Sequence, residues 1–157
     1  MRGRGETIEP LPSAMAARIH GRRVLIFKPA FGIGTGWAYA QLAASAPQSY
    51  LPVKTAEARL AAWFADASAG IEALLYNNME PPAFAKFPAL PMLGERLHGQ
   101  FGLELRMSGS GSACYALLPE RSPLPPIVAA IRDAWGESAF VIEARLGAGH
   151  ATSVTKT

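Results

Sequence analysis

Residues 107–118 read MSGSGSACYALL. Before them, LELRM (103–107) alternates apolar and polar residues, and within them ACYALL (113–118) is an apolar run. Both have the character of strands. A hairpin can close with two residues, so the small residues from Ser108 to Ala113 answer some further requirement. Glycine admits positive φ and lets a partner approach where a Cβ would stand. Successive amides in such a loop form a concavity suited to an anion, and serine hydroxyls add donors without fixed charge. Residues alone leave two readings, a plain Gly/Ser hairpin turn and a loop shaped to lie against phosphate. The loop is not a Walker motif, since no lysine follows its second glycine. Nor is it a dinucleotide fingerprint, since a strand follows it rather than a helix.

Working outward, RRVLIFKP (22–29) is an apolar run closed by Pro29, the pattern of a mostly buried strand. AFGIGTGWAYAQLAA (30–44) starts as a glycine-rich loop, with Thr35 as the expected N-cap of a helix carrying Trp37, Tyr39 and Leu42. An alanine-rich stretch over 55–84 is helical in composition. It starts at Thr55 and Glu57, shows an apolar stripe of Leu60, Trp63 and Phe64, and is divided into two helices at Gly70. A helix over 89–102 ends at Gly99 or Gly102, with Pro88 and Pro91 near its first turn. After the quoted stretch, Ser122 is the expected cap of a helix over 122–136 whose face is Ile127, Val128, Ile131 and Trp135. SAFVIEARL (138–146) reads as a last strand, before a polar tail expected to fray.

This order predicts an α+β fold, a ferredoxin-like sandwich with helices on one face of an antiparallel sheet of about four strands. The chain has 157 residues, half of them hydrophobic and 17% charged, which suits one packed domain. No apolar run approaches the roughly 18 residues of a membrane span, and the N-terminus lacks the apolar segment of a secretory signal. The single Cys114 excludes an internal disulfide framework and fits a reducing cytoplasm; its apolar setting marks a small core residue. Arg2, Arg4, Arg18, Arg22 and Arg23 crowd the N-terminus, but RGRG occurs once and without interleaved aromatics. Together with a net charge of only +3, this argues against nucleic acid as a partner.

MSGSGSACYAL, preceded by HGQFGLEL (98–105), resembles the third glycine-rich motif of the GHMP small-molecule kinases. Three more segments fall in that family's order: GRGE (3–6), VLIFKPAFGIGTGWAYAQL (24–42) and NNMEPPAFAKFPALPMLGERL (77–97). The resemblance is tightest to the branch acting on a cytidine-diphosphate-linked methylerythritol in the non-mevalonate isoprenoid pathway. It implies the C-terminal domain of an ATP-dependent kinase, with residues 1–20 a remnant of the N-terminal domain, 21–148 the C-terminal domain and 149–157 a flexible tail. A complete member is roughly twice as long. Its first half supplies the nucleotide loop, the catalytic base and a lysine, and no segment here matches those motifs. The expected partners are therefore a missing N-terminal kinase half, on the same or a separate polypeptide, and a cytidylyl small molecule. ATP and Mg2+ belong to the complete enzyme, with no tight binding and no activity expected of this part alone. Self-association through the uncovered interface is also expected.

By the same resemblance, Gly109, Ser110 and Gly111, flanked by Ser108 and Ser112, contact the nucleotide loop and transferred phosphate. Thr35 belongs to the substrate loop, and Tyr39, with Trp37 as alternative, stacks on the cytosine. Asn77 and Asn78 are structural caps, although Asn78 stands where the family usually has aspartate. Gly34 and Gly36 also depart from the pattern, which commonly has proline after the threonine; this implies a more mobile substrate loop or a changed substrate. No catalytic or metal-binding residue is expected in this chain. Two other readings share the pattern: the C-terminal half of a different GHMP kinase, and a stand-alone ferredoxin-like binding or assembly domain.

Overall fold

The computed structural model describes residues 10–147. Helix α1 is Ser13–Ile19, strand β1 Arg23–Lys28, helix α2 Thr35–Ala44 and helix α3 Val53–Ala65. A 3-10 turn covers Ile71–Leu74, followed by α4 (Glu80–Lys86), α5 (Ala89–Phe101), β2 (Arg106–Met107), β3 (Cys114–Leu118), α6 (Leu124–Trp135) and β4 (Phe140–Arg145). The strands form one antiparallel sheet in the order β2-β3-β1-β4. That is the expected ferredoxin-like α+β plan, with the first crossover enlarged to hold α2 through α5.

Alternation decides which face is buried. Leu25 and Phe27 of β1 lie beside Ala116 and Cys114 of β3, all fully buried, and cross-strand partners share a face. Onto that face pack Leu90, Leu93 and Leu97 of α5 and Ile127 and Ile131 of α6, each at most 1% exposed. Burial of each such side chain contributes about 2 kcal/mol. Helix α5 stops at Gly102, whose φ of +64° supplies the left-handed terminus. Arg23 closes the far end of the sheet. Its Nε donates to Glu143 at 2.5 Å, and its Nη1 donates to the carbonyls of Pro119, Glu120 and Ser122.

Several expectations are corrected. Residues 103–107 alternate in burial, yet only Arg106 and Met107 pair with β3; at Leu103 the backbone N–H is still tied to the Leu97 carbonyl of α5. The alanine-rich stretch starts at Val53 rather than Thr55, and beyond Gly70 it makes a 3-10 turn, not a second long helix. Of the stripe Leu60, Trp63 and Phe64, only Trp63 is buried. It sits under Arg18, whose guanidinium stacks 4.0 Å from the indole and donates to the carbonyls of Trp63, Asp66 and Ala69. The helix that carries Arg18, α1, has no mark in the sequence pattern: seven residues are too short for periodicity to register, and its tie is to α3 rather than to the core. Ser122 lies outside α6, where Pro123 holds the cap position, because the Ser122 carbonyl is turned towards Arg23. GRGE (3–6) and the tail 149–157 lie outside the described residues.

Candidate functional site

Antiparallel pairing brings the two glycine-rich loops together. Phe27, near the end of β1, is paired with Cys114 at the start of β3. The loop leaving β1 (29–34) and the hairpin loop entering β3 (108–113) therefore emerge at the same end of the sheet. Side chains then lock them. Ser112 Oγ donates to the Phe31 carbonyl at 2.5 Å, and Thr35 Oγ1 and Ser110 Oγ are 3.2 Å apart. Ile33, 7% exposed, lies under Gly111, where a Cβ would meet Ile33 Cδ1 at 2.9 Å and Met107 Sδ at 2.6 Å. Gly111 also has φ +81°. Only glycine satisfies both conditions.

The hairpin loop has a packed floor and an open rim. Ser112 is buried, Ser110 and Gly111 are half-buried, and Ser108 and Gly109 are exposed. Gly111 N–H donates to the Ser108 carbonyl and Ser108 N–H to Ala113. The amides of Gly109 and Ser110 have no acceptor among the described residues. With φ +57° at Gly109, and open space where its Cβ would be, the rim presents two free N–H groups beside two hydroxyls. This is a neutral donor cluster suited to the oxygens of an anion.

The base of the loop is held by the start of α4. Asn77 Nδ2 donates to the carbonyls of Met107 (2.8 Å) and Gly109 (2.9 Å), while its Oδ1 accepts from Met79 N–H at 2.9 Å. Glu80 accepts from Met107 N–H at 2.8 Å and pairs through both oxygens with Arg106. Asn77 is thus bonded on all sides, whereas the Asn78 side chain has no hydrogen bond among the described residues. The signal was visible as Asn77 and Glu80 three apart across a helix start, but which backbone they reach is a tertiary fact.

Thr35 is corrected. The cap position belongs to Gly34, and Thr35 is the first helical residue, with its hydroxyl turned to Ser110 instead of to its own helix. Tyr39, one helical turn further and 58% exposed, shares the Thr35 side of α2. Trp37 faces elsewhere: it meets Phe87 edge-on at 5.8 Å, with Lys86 Nζ 4.2 Å from its ring centre, and Phe87 stacks in turn on Phe31. The structure separates the two aromatics, leaving Tyr39 free beside the loops and Trp37 in a packed cluster. At Gly32, Gly34 and Gly36 an added Cβ would meet nothing within 4 Å, so the chain itself does not fill the space over this loop.

The other candidates are quiet. Burial pushes the Cys114 thiol up to about 12, which leaves it protonated and inert at neutral pH. His98 lies 2.7 Å from Glu104 on the surface, and Lys28 is exposed. Among the described residues, no three His, Cys, Asp or Glu side chains cluster to hold a metal, and no helix is long and apolar enough to cross a membrane.

Residues 57–137 match the family model of the GHMP kinases C terminal. The chain belongs to the GHMP kinase family. The match falls on the stretch from α3 to the end of α6, which includes the hairpin loop and its clamp. Among curated proteins, this chain is 31% identical over 148 residues to 4-diphosphocytidyl-2-C-methyl-D-erythritol kinase of Synechococcus sp. strain CC9311, covering 88% of this chain and 46% of that protein. The namesake from Gloeobacter violaceus is 30% identical over 145 residues, with 88% and 45% covered. A crystal structure of 4-(cytidine 5'-diphospho)-2C-methyl-D-erythritol kinase superposes with a TM-score of 0.60 at 29% identity, over 94% of this chain and 49% of that one. The chain spans about half the length of the curated relatives it matches.

Proposed function

We propose that this chain is the C-terminal domain of an ATP-dependent kinase that phosphorylates 4-diphosphocytidyl-2-C-methyl-D-erythritol, in isoprenoid biosynthesis. In this reading an N-terminal kinase domain, on the same or another polypeptide, provides the nucleotide loop and the base. The observation that carries it is the convergence of the two family-like loops at one sheet end, with the rim amides of Gly109 and Ser110 left free. Phosphoryl transfer depends on positioning and on neutralising phosphate charge. Bound ATP supplies the transferable phosphoryl group, and Mg2+ offsets its charge. The rim fits phosphate oxygens as a neutral donor set, while metal ligands fall to the N-terminal half.

The work of this chain is then to orient and exclude. Gly109 and Ser110 hold amides towards the phosphate, Thr35 and Ser110 fix the substrate loop against the hairpin loop, and Tyr39 offers a ring to the cytosine. Base–aromatic stacking of this kind contributes about 1–3 kcal/mol. The exposed apolar residues of α3, Val53 (71%), Leu60 and Phe64, agree with a surface that self-associates when the other half is absent.

The test is a fusion of this chain to the N-terminal domain of the Synechococcus relative. ATP-dependent phosphorylation of the cytidylyl substrate by the fusion, absent from the chain alone, is the expected result. A folded fusion that binds ATP and turns over no cytidylyl substrate would sink the reading. A second reading, another GHMP kinase with a different substrate, is favoured only by Gly34, Gly36 and Asn78, where the family pattern is broken. The same fusion assayed on other small alcohols distinguishes it.

A further inference from the structure

We propose that Asn77 is a positioning residue for phosphoryl transfer: its carboxamide sets the direction of the free amide at Ser110. This rests on the kinase reading above for its chemistry, but on geometry alone for its structural part. Asn77 Nδ2 carries two hydrogens, and each is used on a carbonyl at the base of the loop, Met107 and Gly109. Drawing the Gly109 carbonyl inwards rotates the peptide unit that follows it, so the Ser110 N–H on the same plane points the opposite way, to the open rim. The Met107 bond anchors the other side of the hairpin mouth. Oδ1 meanwhile accepts from Met79 N–H, which orients the carboxamide and fixes which of its ends faces the loop.

Only an amide meets this demand. Two carbonyls need two donors, and the turn needs an acceptor, all within one short side chain. A carboxylate keeps the acceptor for Met79 but turns a negative oxygen on two carbonyl oxygens. Asn77→Asp therefore separates the turn bond from the loop bonds. Asn77 touches no reacting atom in this account and acts through the peptide units of the loop.

The experiment has two arms. In the first, amide hydrogen exchange is measured on the full chain. Asn77→Asp is expected to speed exchange of the Gly111 and Ser108 amides, which close the loop, about tenfold, with Leu93 and Leu97 of α5 unchanged. Lowering the pH below about 4 protonates the introduced carboxyl and restores one donor, so the 15N shifts of Gly109 and Ser110 move back towards wild type. If Asn77→Asp does not fold, Asn77→Ser serves, since its hydroxyl can hold Met79 N–H but is too short for the two carbonyls. Loop exchange and shifts unchanged in the folded variant overturn the positioning role.

In the second arm, the fusion enzyme carrying the same substitution is expected to lose kcat about tenfold or more, with KM for the cytidylyl substrate within about twofold. A raised KM at unchanged kcat overturns the proposal. An inactive wild-type fusion counts against the kinase reading, and the first arm still decides the role of Asn77.

Discussion

Thr35 Oγ1 and Ser110 Oγ meet at 3.2 Å although 75 positions separate them in the chain. Neither hydroxyl serves its own element: Thr35 does not cap α2, and Ser110 does not close the hairpin. Together with the bond from Ser112 to Phe31, the contact makes the β1–α2 loop and the β2–β3 loop one unit. That unit is a packed floor carrying an open rim.

The floor is tested by alanine at two glycines. Gly111→Ala places a Cβ against Met107 and Ile33 at positive φ, and is expected to cost about 2–4 kcal/mol by urea unfolding. Gly109→Ala has open space and bears only the left-handed strain, about 1–2 kcal/mol. Equal losses at the two positions would contradict the packing of Ile33 under the loop.

Tyr39 and Trp37 separate in the same way. Trp37→Ala removes the partner of Phe87 and Lys86 and is expected to lower stability by about 1–3 kcal/mol. Tyr39→Ala, at an exposed ring, leaves the unfolding midpoint within error and raises KM for the cytidylyl substrate in the fusion enzyme about tenfold. An unchanged KM removes Tyr39 from the site.

Glu80→Ala leaves the Met107 N–H and the Arg106 guanidinium without their acceptor. The expected loss is about 2 kcal/mol in chemical unfolding. Arg106→Ala should cost less, because the Met107 N–H keeps its bond to Glu80.

Acid stability follows from two carboxylates at the far end of the sheet. The hydrogen bond from Arg23 holds Glu143 below its ordinary 4.5, and the hydrogen bond from Arg145 does the same for Glu120. A carboxyl whose folded value is depressed adds stability that is complete above its unfolded value and is lost as pH falls through the folded one. The urea midpoint should therefore be flat from neutral pH down to about 5 and decline below 4.5. Arg23→Met should flatten that acid limb, and an unaltered limb would remove the pair as its cause.

Cys114, fully buried with its thiol raised to about 12, should resist thiol-reactive dyes at pH 8 in the native protein. Labelling is expected only at the rate of unfolding, which rises with urea. Prompt stoichiometric labelling of the folded chain would show the β3 face to be open.

Local chemistry and period were enough to read the four strands, the α6 face that buries Ile127 and Ile131, and a glycine end to α5, at Gly99 or Gly102. A buried strand must be apolar, a packed helix must repeat near 3.6 residues, and a left-handed terminus favours glycine; each condition acts within a few residues and so leaves its mark on the sequence. The motif order likewise carried the resemblance to the GHMP kinases. Helix α3 shows the limit. Its composition is helical, but how far Leu60 and Phe64 are covered depends on what lies beside them, and the described chain leaves each 38% exposed.

Tertiary structure alone decided how those pieces act together. That Thr35 answers Ser110 and that Ile33 fills the place a side chain at 111 would need depend on β1 and β3 running antiparallel with Phe27 opposite Cys114, and that Asn77 holds the Gly109 carbonyl depends on the start of α4 lying against β2. Hydrogen bonds and contacts of a few ångströms between residues 30 or more positions apart have no local signature, because the sheet, not the chain, sets those distances.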